Sequence, residues 1–224
     1  MPVSVIAFDL DGTLIDSNPV KRRGFDHVFE NYRGGVETVA RVLEAHRKSF
    51  RTVVIRLTLE QLHAAGEPDS EPTEMRLAEL AARYNRFCIE GAVACPEIPG
   101  AEAMLKQLSS GHKLFINTAT ATPAAVEIIE RRGWKALFTG VLGFPPDKVG
   151  NLQAIAAQTG ATNDQVLMVG DDDHDFDAAA VFGCPFIAIQ GPTSHFAHLP
   201  ALPISQMDEL PALLASSIFD AQNL

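Results

Sequence analysis

The sequence predicts an α/β protein, a doubly wound parallel sheet with helices on both faces, carrying a helical insertion directly after its first strand. Three observations predict it. Short apolar runs alternate with helical patterns from about residue 99 onward, and buried parallel strands read as such continuous runs. The first apolar run, Val5-Ile6-Ala7, opens the chain and is followed by a stretch with almost no strand signal. Within that stretch apolar residues recur at helical spacing, as in Val36, Val39, Val42 and Leu43, and in Met75, Leu77, Leu80, Ala81, Tyr84, Phe87 and Cys88.

Taken in order, the apolar run Val5-Ile6-Ala7 belongs to a first strand that runs out into a Gly-Thr turn. Residues 18–95 form an insertion of about four helices, jointed at Pro19, Gly34-Gly35, Gly66-Glu67-Pro68 and Pro96. Val53-Val54-Ile55 favours strand by propensity, but its flanks let it continue as helix. A helix from Pro99-Gly100 through Leu108 leads to a strand over Lys113–Asn117. Thr122-Pro123 starts the next helix, the hydroxyl expected as its N-cap and the proline at its first helical position. Gly133 ends that helix, and Phe138 to Leu142 follows as a short strand. A helix over 148–158, a strand over Gln165–Val169, a helix over Asp175–Phe182 closed by Gly183 and a strand over Pro185–Ile189 complete the pattern. The tail beyond Gly191, with Pro192, Pro200, Pro203 and Pro211, reads as loop ending in a short helix. Residues 1–17 and 96–224 thus make one domain and residues 18–95 another.

The chemistry concentrates at strand ends, where ligands of such sheets sit. Residues 8–16 read Phe-Asp-Leu-Asp-Gly-Thr-Leu-Ile-Asp. Asp9 and Asp11 stand two apart, so along a strand they share a side. Carboxylates that close repel unless a shared proton or a cation relieves them, and Mg²⁺ suits few carboxylates and a phosphate. Thr118 follows Lys113–Asn117, Lys148 lies shortly after Val141-Leu142-Gly143, and Asp171 and Asp175 follow Val166–Val169 in Gly-Asp-x-x-x-Asp. Each has a plain structural account: helix cap, surface lysine, first-turn carboxylates. Their coincidence at four strand ends is what points to a site.

This order of motifs resembles the haloacid dehalogenase superfamily across nearly the whole chain, and the helical insertion resembles its phosphoglycolate phosphatase-like and β-phosphoglucomutase-like branch. The resemblance implies a Rossmann-like core with an α-helical cap domain that closes over the strand ends. It implies Asp9 as nucleophile, forming an aspartyl-phosphate, and Asp11 as general acid and base. Thr118 and the amides from Ala119 onward would hold phosphoryl oxygens, and Lys148 would neutralise the transferring group. Mg²⁺ would be held by Asp9, the backbone carbonyl of Asp11 and Asp171, with Asp175 orienting a metal-bound water or Lys148. Asp172 either touches the metal or hydrogen-bonds local amides, the latter preferred. His174 and Asp177 read as a solvated turn and helix face. Because Asp11 is present, dehalogenation and phosphonate cleavage are disfavoured.

The expected activity is hydrolysis of a small phosphorylated metabolite, a phosphoglycolate or sugar phosphate. A phosphomutase shares the same catalytic residues, and a regulatory protein on the same fold is the rival outside enzymes. Within the insertion, Lys21, Arg22 and Arg23, or His46, Arg47 and Lys48, could attract a second anionic group or simply face solvent. Arg22 is the candidate taken from them. A net charge of −10 argues against nucleic acid and anionic membranes, and no run reaches the ~20 apolar residues of a membrane span. Three cysteines, Cys88, Cys95 and Cys184, fit no paired spacing, so a reduced cytoplasmic protein is expected, monomer or homodimer. His195 and His198 in the tail carry no assignment.

Overall fold

The structure, a computed structural model, describes residues 3–46, 49–191, 194, 196–197 and 203–216. Arg47, Lys48, Pro192, His195, His198 and Pro200 therefore lie outside the described residues. The chain divides into two compact units, 1–18 with 93–224, and 19–92.

The first unit is built on six parallel strands in the order β3-β2-β1-β4-β5-β6. They span β1 Val5–Phe8, β2 Lys113–Ala121, β3 Gly140–Phe144, β4 Val166–Gly170, β5 Phe186–Ile189 and β6 Pro203–Ile204. β1 is wholly buried between β2 and β4, in register Phe8 to Ile116 and Phe8 to Val169. This central placement explains why Val-Ile-Ala-Phe carries no polar alternation. Val5, Ala7, Phe115, Val166 and Met168 pack on Leu152 and Ile155 of α7 (Lys148–Thr159) and on Ala178, Ala179 and Phe182 of α8 (Asp173–Phe182). Among the described residues, the unit's other α-helices are α5 (Ala101–Leu108), α6 (Thr122–Arg131) and α9 (Glu209–Leu214).

Several boundaries differ from the sequence expectation. β2 extends four residues past Asn117, with a register shift that sets Thr118, Ala119 and Thr120 against the single residue Gly143 of β3. β3 begins at Gly140 rather than Phe138, because a turn over Lys135–Leu137 delivers Phe138 into the core before pairing starts. It runs on to Phe144 because the lengthened β2 still offers a partner at Ala121. Thr122 does not cap α6; the N-cap residue is Ala121, and the Thr122 hydroxyl accepts from the Gly143 amide at 3.1 Å. α8 starts two residues early because Asp172 supplies its N-cap, accepting from the Asp175 amide at 3.1 Å. β6 stands where the sequence reads as loop, since Pro203 and Ile204 are too short a run to give a periodicity signal.

The second unit consists of α1 (Asn18–Phe29) from Pro19 onward, α2 (Gly35–Ala45), α3 (Arg51–Ala64) and most of α4 (Glu74–Ala94). Phe25, Val28, Phe29, Val39, Val42, Val54, Ile55, Leu59, Leu62, Leu80 and Tyr84 form its own core. Val53-Val54-Ile55 is helical: Val54 and Ile55 are buried while Val53 is exposed, a helical rather than alternating pattern.

Candidate active site

β1 delivers Asp9 and Asp11 to its carboxyl end, both nearly buried. The Asp9 amide still donates to the Val169 carbonyl at 2.9 Å, so its backbone is held by the sheet. The chain then turns at Gly12, whose φ of +89° is left-handed, and an added Cβ would lie 2.1 Å from Asp171 Oδ2. Only glycine lets this turn pass so close to a buried carboxylate from another strand. Gly170 serves the same end on β4, where a Cβ would meet Asp175 at 2.2 Å.

Oxygen atoms of Asp9, Asp171 and Asp175 all lie within 4.8 Å of one another. Lys148, at the start of α7, places its Nζ 3.2 Å from Asp9 Oδ1 and 2.5 Å from Asp175 Oδ1. The other Asp175 oxygen accepts from the Asp171 amide at 3.2 Å. Asp175 therefore orients Lys148 and the strand end, and Asp9 and Asp171 remain the carboxylates best placed to hold a cation. Three carboxylates face one ammonium, and the donors are all oxygen; that set fits a hard divalent ion.

The electrostatics follow. Burial works against the Lys148 ammonium, but Asp175 and Asp9 outweigh it and hold its pKa above the ordinary lysine value. Burial, with the charges of Asp9 and Asp172 adding to it, pushes the Asp171 carboxyl up to about 8. Thr13 Oγ1 opposes this by donating to Asp171 Oδ1 at 3.0 Å, and Asn18 Nδ2 lies 3.4 Å from Oδ2.

Asp11 stands outside the carboxylate trio. Ser17 Oγ donates to its Oδ1 at 2.5 Å and Thr120 Oγ1 to its Oδ2 at 2.7 Å. A carboxylate held by two hydroxyls has a fixed orientation and remains able to exchange a proton. Thr118, buried, sits two residues beyond Ile116, the register partner of Phe8, and its Oγ1 accepts from the Thr120 amide at 3.2 Å. Ala119, between them, is exposed. Asp172 is the α8 cap, its side chain accepting from the Asp175 amide, and His174 and Asp177 are exposed. Arg22 belongs to the helical unit, exposed on α1 with its guanidinium 3.8 Å from Asp26.

Sequence reasoning did not single out Thr13, Ser17, Thr120 or Asn18. Thr13 stood within the first motif and Ser17 just past it, and both were readable as hydroxyls beside clustered carboxylates. Thr120 was not readable, because the irregularity in β2 that brings it to Asp11 has no signature in hydrophobic pattern.

The haloacid dehalogenase-like hydrolase family matches residues 6–189 of this chain. A phosphoglycolate phosphatase of Cereibacter sphaeroides is 28% identical over 220 residues, covering 93% of this chain and 96% of that protein. A phosphoglycolate phosphatase of Salmonella paratyphi A is 29% identical over 206 residues, covering 82% and 80%. The crystal structure of a predicted phosphoglycolate phosphatase from Haemophilus somnus superposes with a TM-score of 0.74 at 18% identity, covering 94% of this chain and 97% of that one, a likeness of fold.

Proposed function

The chain belongs to the haloacid dehalogenase-like hydrolase family, and from that premise we propose that it is a Mg²⁺-dependent phosphatase acting on a small phosphomonoester of the phosphoglycolate or sugar-phosphate class. The observation that carries the proposal is the Lys148 ammonium set between Asp9 and Asp175, with Asp171 in the same small volume. The relatives' name, phosphoglycolate phosphatase, supports the phosphoglycolate half of that class.

In this reading Asp9 is the nucleophile. An oxygen of its carboxylate attacks phosphorus, the bond from phosphorus to the ester oxygen breaks, and an aspartyl-phosphate remains. Asp11 gives its proton to the leaving alkoxide. It then takes one from the water that attacks phosphorus, releasing inorganic phosphate and restoring Asp9. Ser17 and Thr120 keep the Asp11 carboxylate turned to one position through both transfers. Thr118 and the amides from Ala119 onward bind phosphoryl oxygens, and Lys148 offsets the negative charge gathered on the group in flight. Asp9, Asp171 and the backbone of Asp11 would hold Mg²⁺. When bound, the ion neutralises phosphoryl oxygens and lets Asp9 approach an anionic ester.

Phosphate release from a panel of phosphomonoesters, with Mg²⁺ and with chelator, tests the proposal. Metal-dependent release concentrated on a few related compounds is expected. No release from any member in folded, metal-supplied protein overturns it.

A further inference from the structure

Two amide side chains lie buried in the apolar layer beneath the site, and no role above uses them. Asn117 of β2 and Asn151 of α7 are both fully buried. Asn151 Nδ2 donates to Asn117 Oδ1 at 3.0 Å, and Asn117 Nδ2 donates to the backbone carbonyl of Lys148 at 3.1 Å. The Met168 sulfur lies 3.6 Å from Asn117 Nδ2, and Met168 belongs to the apolar cluster that includes Phe115, Leu152 and Ile155. Asn151 Oδ1 is buried with no hydrogen-bond partner among the described residues.

Such a pair is a poor way to stabilise a core. Buried amides must be desolvated, an orphan acceptor adds to that cost, and apolar groups of similar shape serve at least as well. What the amides supply is direction. Asn117 faces α7, where it meets Asn151 and the Lys148 carbonyl, and directly precedes Thr118, the residue read above as binding phosphoryl oxygens. Asn117 holds the one backbone carbonyl belonging to Lys148, and Asn151, one turn along the helix, holds Asn117. Asn151 Nδ2 also lies 3.5 Å from the Gly143 carbonyl, at the irregularity between β2 and β3.

We propose that the Asn117–Asn151 pair is a polar brace that positions Lys148 against Asp9, making both asparagines positioning residues for phosphoryl transfer. The inference rests on the phosphatase reading for its consequence and on geometry for its existence. A long lysine side chain has many rotamers. Pinning its own peptide to β2 fixes the point from which the ammonium reaches the carboxylates, and misplacement by about 1 Å costs up to a hundredfold in rate.

The test uses Asn117→Leu and Asn151→Leu, each also in a Lys148→Met background. Expected is a fall in kcat on the order of tenfold to a hundredfold with KM within about twofold. Urea stability should fall in each single variant, which leaves the partner amide buried and unpaired, and recover in the Asn117→Leu/Asn151→Leu double variant. No further loss of kcat should appear when Lys148 is already gone. Equal losses in both backgrounds, or kcat unchanged, overturn the brace. Hydrogen exchange in the first turn of α7 gives a readout independent of turnover. It includes the Asn151 amide, which donates to the Asp147 carbonyl at 2.9 Å. Protection there should fall in Asn117→Leu, and unaltered protection overturns the inference. Wild-type protein without phosphatase activity sinks the functional reading instead, and the exchange result alone then decides the brace.

Discussion

Replacing Asp171 by Asn removes a carboxyl group from a site with more negative than positive charge, and should stabilise the metal-free protein at alkaline pH. In the fold the Asp171 carboxyl sits at about 8, raised by burial and by Asp9 and Asp172; in the unfolded chain it is about 3.9. A folded-state value above the unfolded one means the folded protein retains a proton that the unfolded chain gives up. The contribution is therefore fully favourable below pH ~4 and is lost as pH rises through ~8. Each unit is worth about 1.4 kcal/mol, so even half of a shift from 3.8 to about 8 amounts to about 3 kcal/mol. Asparagine keeps an oxygen for Thr13 and gives up the longer contact with Asn18, a cost of about 1 kcal/mol. The net expectation is that, with chelator at pH ~8.5, Asp171→Asn exceeds wild type by about 2 kcal/mol, and that the advantage vanishes near pH ~4. Urea unfolding followed through the single tryptophan, the buried Trp134, measures it. Mg²⁺ should then stabilise wild type in a concentration-dependent way and leave the variant almost unmoved. A variant less stable than wild type at pH ~8.5, or one that gains as much from Mg²⁺, would refute the reasoning.

Other expectations follow from the same geometry. Gly12→Ala must accept a left-handed backbone, about 1–2 kcal/mol, and a Cβ 2.1 Å from Asp171 Oδ2; urea unfolding should show the loss, and the Mg²⁺ midpoint for activity should rise severalfold. Thr120→Val removes the hydroxyl on Asp11 Oδ2. A hydrogen bond to a charged group is worth about 1.5–3 kcal/mol, so urea unfolding should show a loss of that order, and kcat should drop roughly ten- to a hundredfold. Thr118→Ala should lower kcat/KM less severely than loss of Asp9, and a wild-type value in steady-state assays would remove Thr118 from the phosphate site.

The central sheet was legible because its strands are buried on both faces: Val5-Ile6-Ala7-Phe8 and Val166-Leu167-Met168-Val169 are unbroken apolar runs, the pattern of parallel strands covered on both sides. The insertion was legible because Val39, Val42, Leu80 and Tyr84 recur at helical spacing and do form a core. What the pattern could not carry was the register shift in β2. A hydrophobic profile has no term for three residues facing one, so the end of that strand, the start of β3 and the Thr120–Asp11 bond all lay beyond it. Thr122 shows the same limit: a good capping residue by type spends its hydroxyl on Gly143 because the fold brings that amide to it. Asn117 was visible as a polar residue in an apolar strand, but its partner 34 positions later is known only from the fold.

The most direct test of the account is to find where the phosphoryl group goes. Wild-type protein quenched in acid during turnover, then reduced with borohydride and digested, should yield homoserine at position 9 and nowhere else, since only an acyl phosphate is reduced in this way. Asp9→Asn, folded as wild type by circular dichroism, should give neither homoserine nor phosphate release. Homoserine at another aspartate, or undiminished turnover in Asp9→Asn, would contradict the assignment of Asp9 as nucleophile and with it the mechanism built on this site.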